Sequence, residues 1–519
     1  MARAITHCIG LLRAARTIAA HGRLLDRRQL DQLPGGARTV LKLLGAGRRS
    51  ADGDIVTALT ALGPSYIKLG QFLATRPDLV GAEAAQELAR LQDRLPPFAT
   101  ELALAEIESA FGVPASTLFS EFGPPVAAAS IAQVHRCLTT DGRQVAVKIL
   151  RPGIERRFNA DLDSFFFAAR TIERWHGPSQ RLKPVDAVET LARSVRLEMD
   201  LRMEAAAIAE MGENVKGDAE FRVPQVDWTR TARRVLTTDW IDGTALSDPA
   251  ALAEAGVDGE RIAEILIQSF LRHAIRDGFF HADMHPGNLF VDRGGRLAAV
   301  DFGIMGRLNP SDRRFLAEIL FGFITKDYAR VSEVHFHAGY VPADQNPAVF
   351  AQALRAIGEP LMDKTASDIS MARLLTQLFQ VTEQFNMQTQ PQLLLLQKTM
   401  VVVEGVARTL NPRLNMWATA EPVVRQWIEA RLGPQGRLED AAESALSLGR
   451  LVTTFPEVLS EAQRATHMLS EMAQSGGLKL DRQTTEALAR VQAQNSRASR
   501  AALWLGAAAL VVLALSQVF

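Results

Sequence analysis

The sequence predicts an α/β chain of the α+β kind, built as two lobes with a helical N-terminal extension and a C-terminal transmembrane helix. Three features predict it. Two hairpin-like segments, near 134–150 and 281–303, are separated by long stretches whose apolar residues recur at helical spacing. Residues 1 to about 95 keep the three- and four-residue spacing until Pro96-Pro97 interrupts it. The run from Ala501 to Phe519 carries no charge at all.

Taken in order, residues 1–25 contain no acidic side chain, so the first helix is basic and amphipathic. Such a helix suits a targeting peptide, a membrane-surface helix or a solvated helix packed on the core. Residues 99–122 predict a helix pair, closed by Pro124-Pro125. A hairpin follows, with Val134–Leu138 and Gln144–Leu150 flanking a turn that holds Asp141-Gly142, the pair best able to supply positive φ. Residues 156–214 predict helix, Val235–Ile241 a short strand, and about 258–277 a long helix. The second hairpin joins at Gly294-Gly295, and about 311–495 is mostly helical.

The charge-free tail is about 28 Å long as a helix, close to the hydrocarbon thickness of a bilayer. Arg497 and Arg500 precede it, and positive flanks stay on the cytoplasmic side, leaving the body there. A buried core helix is the alternative. The divisions are 1–95, 96–250, 251–420, 421–498 and 499–519.

Composition narrows the function classes. With 47% hydrophobic and 22% charged residues, the 519-residue chain is a folded protein of several packing units. Lys+Arg and Asp+Glu balance at 58 each, which removes any global electrostatic case for nucleic acid. Cys8 and Cys137 alone cannot make a disulfide framework or a zinc site. His281 and His285 have the spacing of a zinc-protease pair, but Ala282 occupies the position that needs Glu, and Pro286 breaks the helix such a pair requires.

Phosphoryl chemistry on ATP needs a cation on the phosphates, a carboxylate to fix that cation, oxygen ligands for Mg²⁺ and often a base near the acceptor. Lys148 in VAVK is the candidate cation, Asp283 the base, and Asn288 and Asp301 the metal ligands, the last within DFG. Each motif alone is common. Their order, set on strand, loop and hairpin, matches a bilobal protein-kinase-like fold. No A-P-E segment follows DFG, which argues for ATP turnover over protein phosphorylation.

Four further motifs give the chain a specific resemblance over about 55–420. They are Lys68-Leu69-Gly70-Gln71, Ala127-Ala128-Ala129-Ser130, the run from Glu198 to Glu204, and the run from His281 to Asn288. On these residues the chain resembles the UbiB family of atypical kinases. The resemblance implies that Glu204 pairs with Lys148, that Glu198 and Asp200 engage Lys68 and Gln71, and that the extension covers the cleft where a kinase binds peptide. It assigns Ala128, Ala129 and Ser130 to the nucleotide, with ATP and Mg²⁺ as cofactors. Alanine in place of glycine should restrict that loop. Ala132 stands where glycine is common and Met284 where proline is common, which leaves loop geometry open.

The resemblance further implies an ATPase or small-molecule kinase that supports ubiquinone biosynthesis at a bacterial inner membrane. Quinone-precursor lipids and quinone-biosynthetic enzymes would be its partners. A nucleotide- and lipid-binding scaffold without turnover is the alternative. Direct hydroxylation of a polyprenylphenol is disfavoured, since no dinucleotide fingerprint and no paired Glu-x-x-His motif is present.

Overall fold

The computed structural model describes residues 95–175, 183–362 and 391–432 throughout, most of 55–91, and scattered residues at 10–17 and 381–387. It has a protein-kinase-like α/β fold. The expected span at 499–519, the segment 433–498 and most of the first helix lie outside the described residues. Among the described residues no helix is long and apolar enough to cross a membrane.

Among the described residues of the extension, the helical residues at 10–17 are followed by α1 (Ile55–Leu62), α2 (Pro64–Ala74) and α3 (Ala82–Leu88). Gly70, inside the Lys68–Gln71 motif, is where they meet: a Cβ there would run into the side chains of Leu59 and Leu91. Glycine at this position is therefore a packing requirement, worth more than the helix propensity it forgoes.

After Pro96-Pro97, α4 (Thr100–Phe111) leads into a four-stranded antiparallel sheet in the order β1-β2-β3-β5. The strands are β1 (Phe119–Ala128), β2 (Ala132–Thr139), β3 (Gln144–Leu150) and, after the intervening helices, β5 (Val235–Asp239). Here the expected helix pair at 99–122 is corrected: only its first member forms, and residues from Phe119 onward are strand. Pro124 and Pro125 are tolerated because β1 is an edge strand, and register shifts break its ladder on either side of Pro125. Along β3, Val145, Val147 and Ile149 are fully buried and pack with Ala103 and Ile107 of α4. The period of two turns Lys148 to the opposite face.

Among the described residues, three helices lie between β3 and β5: α5 (Ile154–Trp175), α6 (Pro184–Glu198) and α7 (Leu201–Asn214), and the two-residue strand β4 (Phe221–Arg222) also precedes β5. Asp200 caps α7 by accepting from the Arg202 N–H at 3.2 Å. The second lobe opens with β6 (Gly243–Ala245), α8 (Pro249–Glu254) and α9 (Gly259–Arg272), the last capped by Asp258. One π-helical turn, His273–Asp277, ends α9.

Next come β7 (Phe279–His281), β8 (Leu289–Asp292), β9 (Leu297–Ala299) and β10 (Met305–Arg307). A mixed sheet β4-β9-β8-β6 and a two-stranded pair β10-β7 hold the loops between them. Helices α10 (Pro310–Ile324), α11 (Tyr328–His337), α12 (Pro347–Met362), α13 (Pro391–Leu410) and α14 (Met416–Leu432) complete the described chain. One apolar core runs from Leu59 and Leu88 through Leu201 and Ala205 to Phe280 and Leu289. Extension, α7 and catalytic loops are thus packed on common ground.

Candidate functional site

Lys148 leaves β3 and reaches Glu204 of α7, with Nζ 2.9 Å from Oε1, and Asp301, with Nζ 2.8 Å from Oδ1. Glu204 sits one turn into α7, directed inward with Leu201, Ala205 and Ile208, and only 7% of its side chain is exposed. Burial alone would strip Lys148 of its proton, but the charges and hydrogen bonds of Asp301 and Glu204 reverse this and hold it protonated well above its ordinary range. Burial raises Glu204 more than Lys148 lowers it. Asp301, whose side chain is 44% exposed, goes the other way: partial desolvation opposes its ionisation, yet Lys148, then His281 and Lys68, hold it below the usual carboxylate range. Once Glu204 ionises, two carboxylates share one ammonium and leave a negative balance, the electrostatics that favours a further cation.

Asp301 adopts a φ of 62°, a left-handed conformation rare for a residue with a Cβ. Its neighbours hold it there. Phe302 is buried and meets the His281 ring edge-on at 4.9 Å, while the Val300 N–H donates to the Asn288 carbonyl at 2.9 Å. That bond ties the Asn288 segment to the Asp301 segment. The Asn288 amide nitrogen donates to the Asp283 carbonyl at 3.1 Å and to its carboxylate at 3.3 Å. The amide oxygen is therefore the end able to serve as a ligand.

His281 braces the loop. The Asp283 N–H donates to its Nδ1 at 3.0 Å, so the proton lies on Nε2, which donates to the Val300 carbonyl at 3.2 Å. Burial lowers its pKa, which keeps this neutral form. His285 caps the turn Pro286–Asn288 by accepting from the Gly287 N–H at 3.2 Å. Both histidines are engaged with backbone.

From the extension, Lys68 Nζ lies 2.7 Å from Glu198 Oε2, and both side chains are at least 85% buried. Gln71, half-buried, follows three residues later on α2. Asp200 departs from the expectation that it engages Lys68 and Gln71. Its carboxylate is taken by the Arg202 guanidinium at 2.9 and 2.6 Å and by the cap of α7, because a residue at a helix N-terminus is drawn to local donors first.

Ala128 ends β1, and Ala129, Ser130 and Ile131 form the turn into β2. Ser130 is fully buried, which takes its hydroxyl away from solvent, so the loop offers its backbone. Two contributors escaped the sequence reading. Thr399 of α13 donates to the Ala282 carbonyl at 3.2 Å, and Arg307 grips Glu210 of α7 through two 2.8 Å hydrogen bonds. Such partners lie 117 and 97 residues apart, and no local pattern announces them.

A two-lobed fold with a strand lysine held by a helix glutamate and a DFG aspartate defines the class of kinase-like enzymes. Residues 90–335 match the profile of the ABC1 atypical kinase-like domain, and residues 354–415 that of the UbiB helical domain. The chain belongs to the UbiB family of atypical kinases. A Marinobacter nauticus protein named "Probable protein kinase UbiB" is 39% identical over 463 residues, covering 88% of this chain and 84% of its own. An Aeromonas hydrophila protein of the same name is 40% identical over 415 residues, covering 79% and 76%. Among solved structures, Rv3197 from Mycobacterium tuberculosis, determined as a complex with erythromycin, aligns with a TM-score of 0.50 and 23% identity. It covers 75% of this chain and 95% of its own. That likeness concerns the fold.

Proposed function

We propose that this chain is a membrane-anchored enzyme that binds Mg-ATP in the cleft around Lys148 and supports ubiquinone biosynthesis by ATP hydrolysis or by phosphorylating a small molecule. The observation that carries the reading is Lys148 held between Glu204 and Asp301 at hydrogen-bond distance. Glu204 orients the ammonium, which then meets the phosphates as a fixed charge and loses little freedom on binding. The donor set, Asp301 and the Asn288 amide oxygen with Asp283 beside them, consists of hard oxygens on a negative site, which fits Mg²⁺. When bound, Mg²⁺ supplies charge neutralisation of the phosphate oxygens. Asp283, which is exposed, would accept a proton from an attacking hydroxyl or water.

Membrane anchoring rests on the charge-free run 501–519, and the quinone assignment on family membership. Catalysis near a bilayer would let apolar phenolic precursors reach the site. The test is phosphate release by the full chain and its Asp301→Asn form, with and without liposomes and a quinone-precursor phenol. The reading expects lipid-stimulated turnover in the wild type and loss of at least about 100-fold in the variant. Equal rates would refute turnover at this site, and a variant that sustains quinone synthesis in cells would favour a nucleotide-binding scaffold.

A further inference from the structure

Arg151 stands three residues beyond Lys148, just past the end of β3, and three backbone carbonyls converge on it. Its N–H donates to the Ile131 carbonyl at 2.8 Å. Its guanidinium donates to the Ala129 carbonyl from Nε at 3.1 Å and from Nη2 at 2.9 Å, and Nη2 also donates to the Pro96 carbonyl at 2.9 Å. The same guanidinium lies 5.6 Å from the centre of the Phe98 ring. Neighbouring bonds close the arrangement. Leu95 N–H donates to the Ala128 carbonyl at 3.3 Å, and the Gln133 amide accepts from Phe98 N–H at 2.8 Å while donating to the Phe98 carbonyl at 3.2 Å.

We infer that Arg151 is a positioning residue that locks the alanine loop to residues 95–98, so that nucleotide in the cleft is coupled to the segment through which the N-terminal extension enters the lobe. This rests on the proposed nucleotide site and names a control on it. The peptide bond is trans and planar, so fixing the Ala129 carbonyl toward Arg151 sets the Ser130 N–H in the opposite direction. Alanine narrows the conformations open to the loop, and Arg151 selects one of them. Pro96 and Pro97 cannot donate hydrogen bonds, so this stretch depends on partners that come to its carbonyls. A guanidinium can serve two carbonyls and a ring together. A lysine ammonium, a point charge on a flexible stem, cannot hold that fork.

The experiment is hydrogen–deuterium exchange of the full chain over peptides 91–100 and 126–134, with and without Mg²⁺ and a non-hydrolysable ATP analogue. Wild type, Arg151→Met and Arg151→Lys are compared, with nucleotide affinity measured alongside and circular dichroism as the fold control. In the wild type, nucleotide should slow exchange in both peptides. Arg151→Met should bind nucleotide about tenfold more weakly, the loss expected for a charged donor. At saturation it should protect 126–134 alone, with Arg151→Lys intermediate. Joint protection of both peptides in Arg151→Met, or full recovery by Arg151→Lys, overturns the coupling while leaving the nucleotide site standing. Absence of nucleotide binding in the wild type removes the site and the coupling with it.

Discussion

Replacing Glu204 by Gln removes a group that carries its full charge only above pH about 7, and almost no volume. Glu204 Oε1 lies 2.9 Å from Lys148 Nζ, with side-chain exposures of 7% and 14%, so solvent screens the pair little. A hydrogen bond between charged groups contributes about 1.5–3 kcal/mol. Glutamine keeps an acceptor oxygen, so the activity loss should fall between about 10- and 100-fold in kcat/KM. Stability should move the other way. Burial raises the Glu204 pKa from 4.5 to about 7, so its contribution is full below 4.5 and is lost as pH rises through about 7. Glutamine has no such loss. The assay pairs phosphate release, titrated with Mg-ATP, with thermal unfolding at pH 4.5 and pH 8. The variant should lose activity yet gain stability relative to wild type between those two pH values. Unchanged kcat/KM would show that Glu204 does not orient Lys148, and a stability difference independent of pH would show that its carboxyl is not raised in the folded chain.

Further outcomes follow from other residues. Arg307 and Glu210 form a two-bond pair across 65% and 41% exposed side chains, so breaking it should cost under about 1 kcal/mol of stability. Because it tethers α7, which carries Glu204, Arg307→Ala should still lower kcat severalfold, and the charge swap Arg307→Glu with Glu210→Arg should recover part of it. Gly70→Ala should destabilise the chain by up to about 2 kcal/mol in chemical unfolding, since overpacking against Leu59 and Leu91, about 1–3 kcal/mol, outweighs a helix-propensity gain of about 1 kcal/mol. Asp227 is held down to about 2: burial opposes its ionisation, but Thr229, Arg143 and Arg230 bond its carboxylate and prevail. Its stabilisation is present above its ordinary 3.8 and disappears as pH falls toward 2, so Asp227→Asn should cost about 2 kcal/mol at pH 6 and much less at pH 2 in denaturant titrations.

The hairpin of β2 and β3 was legible in the sequence because alternation, Asp141-Gly142 and strand length agree, and the lysine position inside it followed. The lower hairpin was legible for the same reason. Strand β1 was not, since Pro124 and Pro125 read as terminators and an edge strand that accommodates both leaves no distinct pattern. Asp200 was misplaced because family motif and local capping compete for one carboxylate, and the nearer donors hold it. Arg151, Arg307 and Thr399 act on carbonyls or carboxylates far away in the chain, where only packing decides the partner.

Lys148, Glu204, Asn288 and Asp301 are proposed to make a magnesium-nucleotide site together. Isothermal calorimetry of the full chain with a non-hydrolysable ATP analogue tests it most directly, with Mg²⁺ present and absent, for wild type, Lys148→Met and Asp301→Asn. One-to-one binding that needs Mg²⁺ and falls at least about tenfold in both variants is the expected result. Heat of binding that is missing in the wild type, or identical in all three proteins, would contradict it.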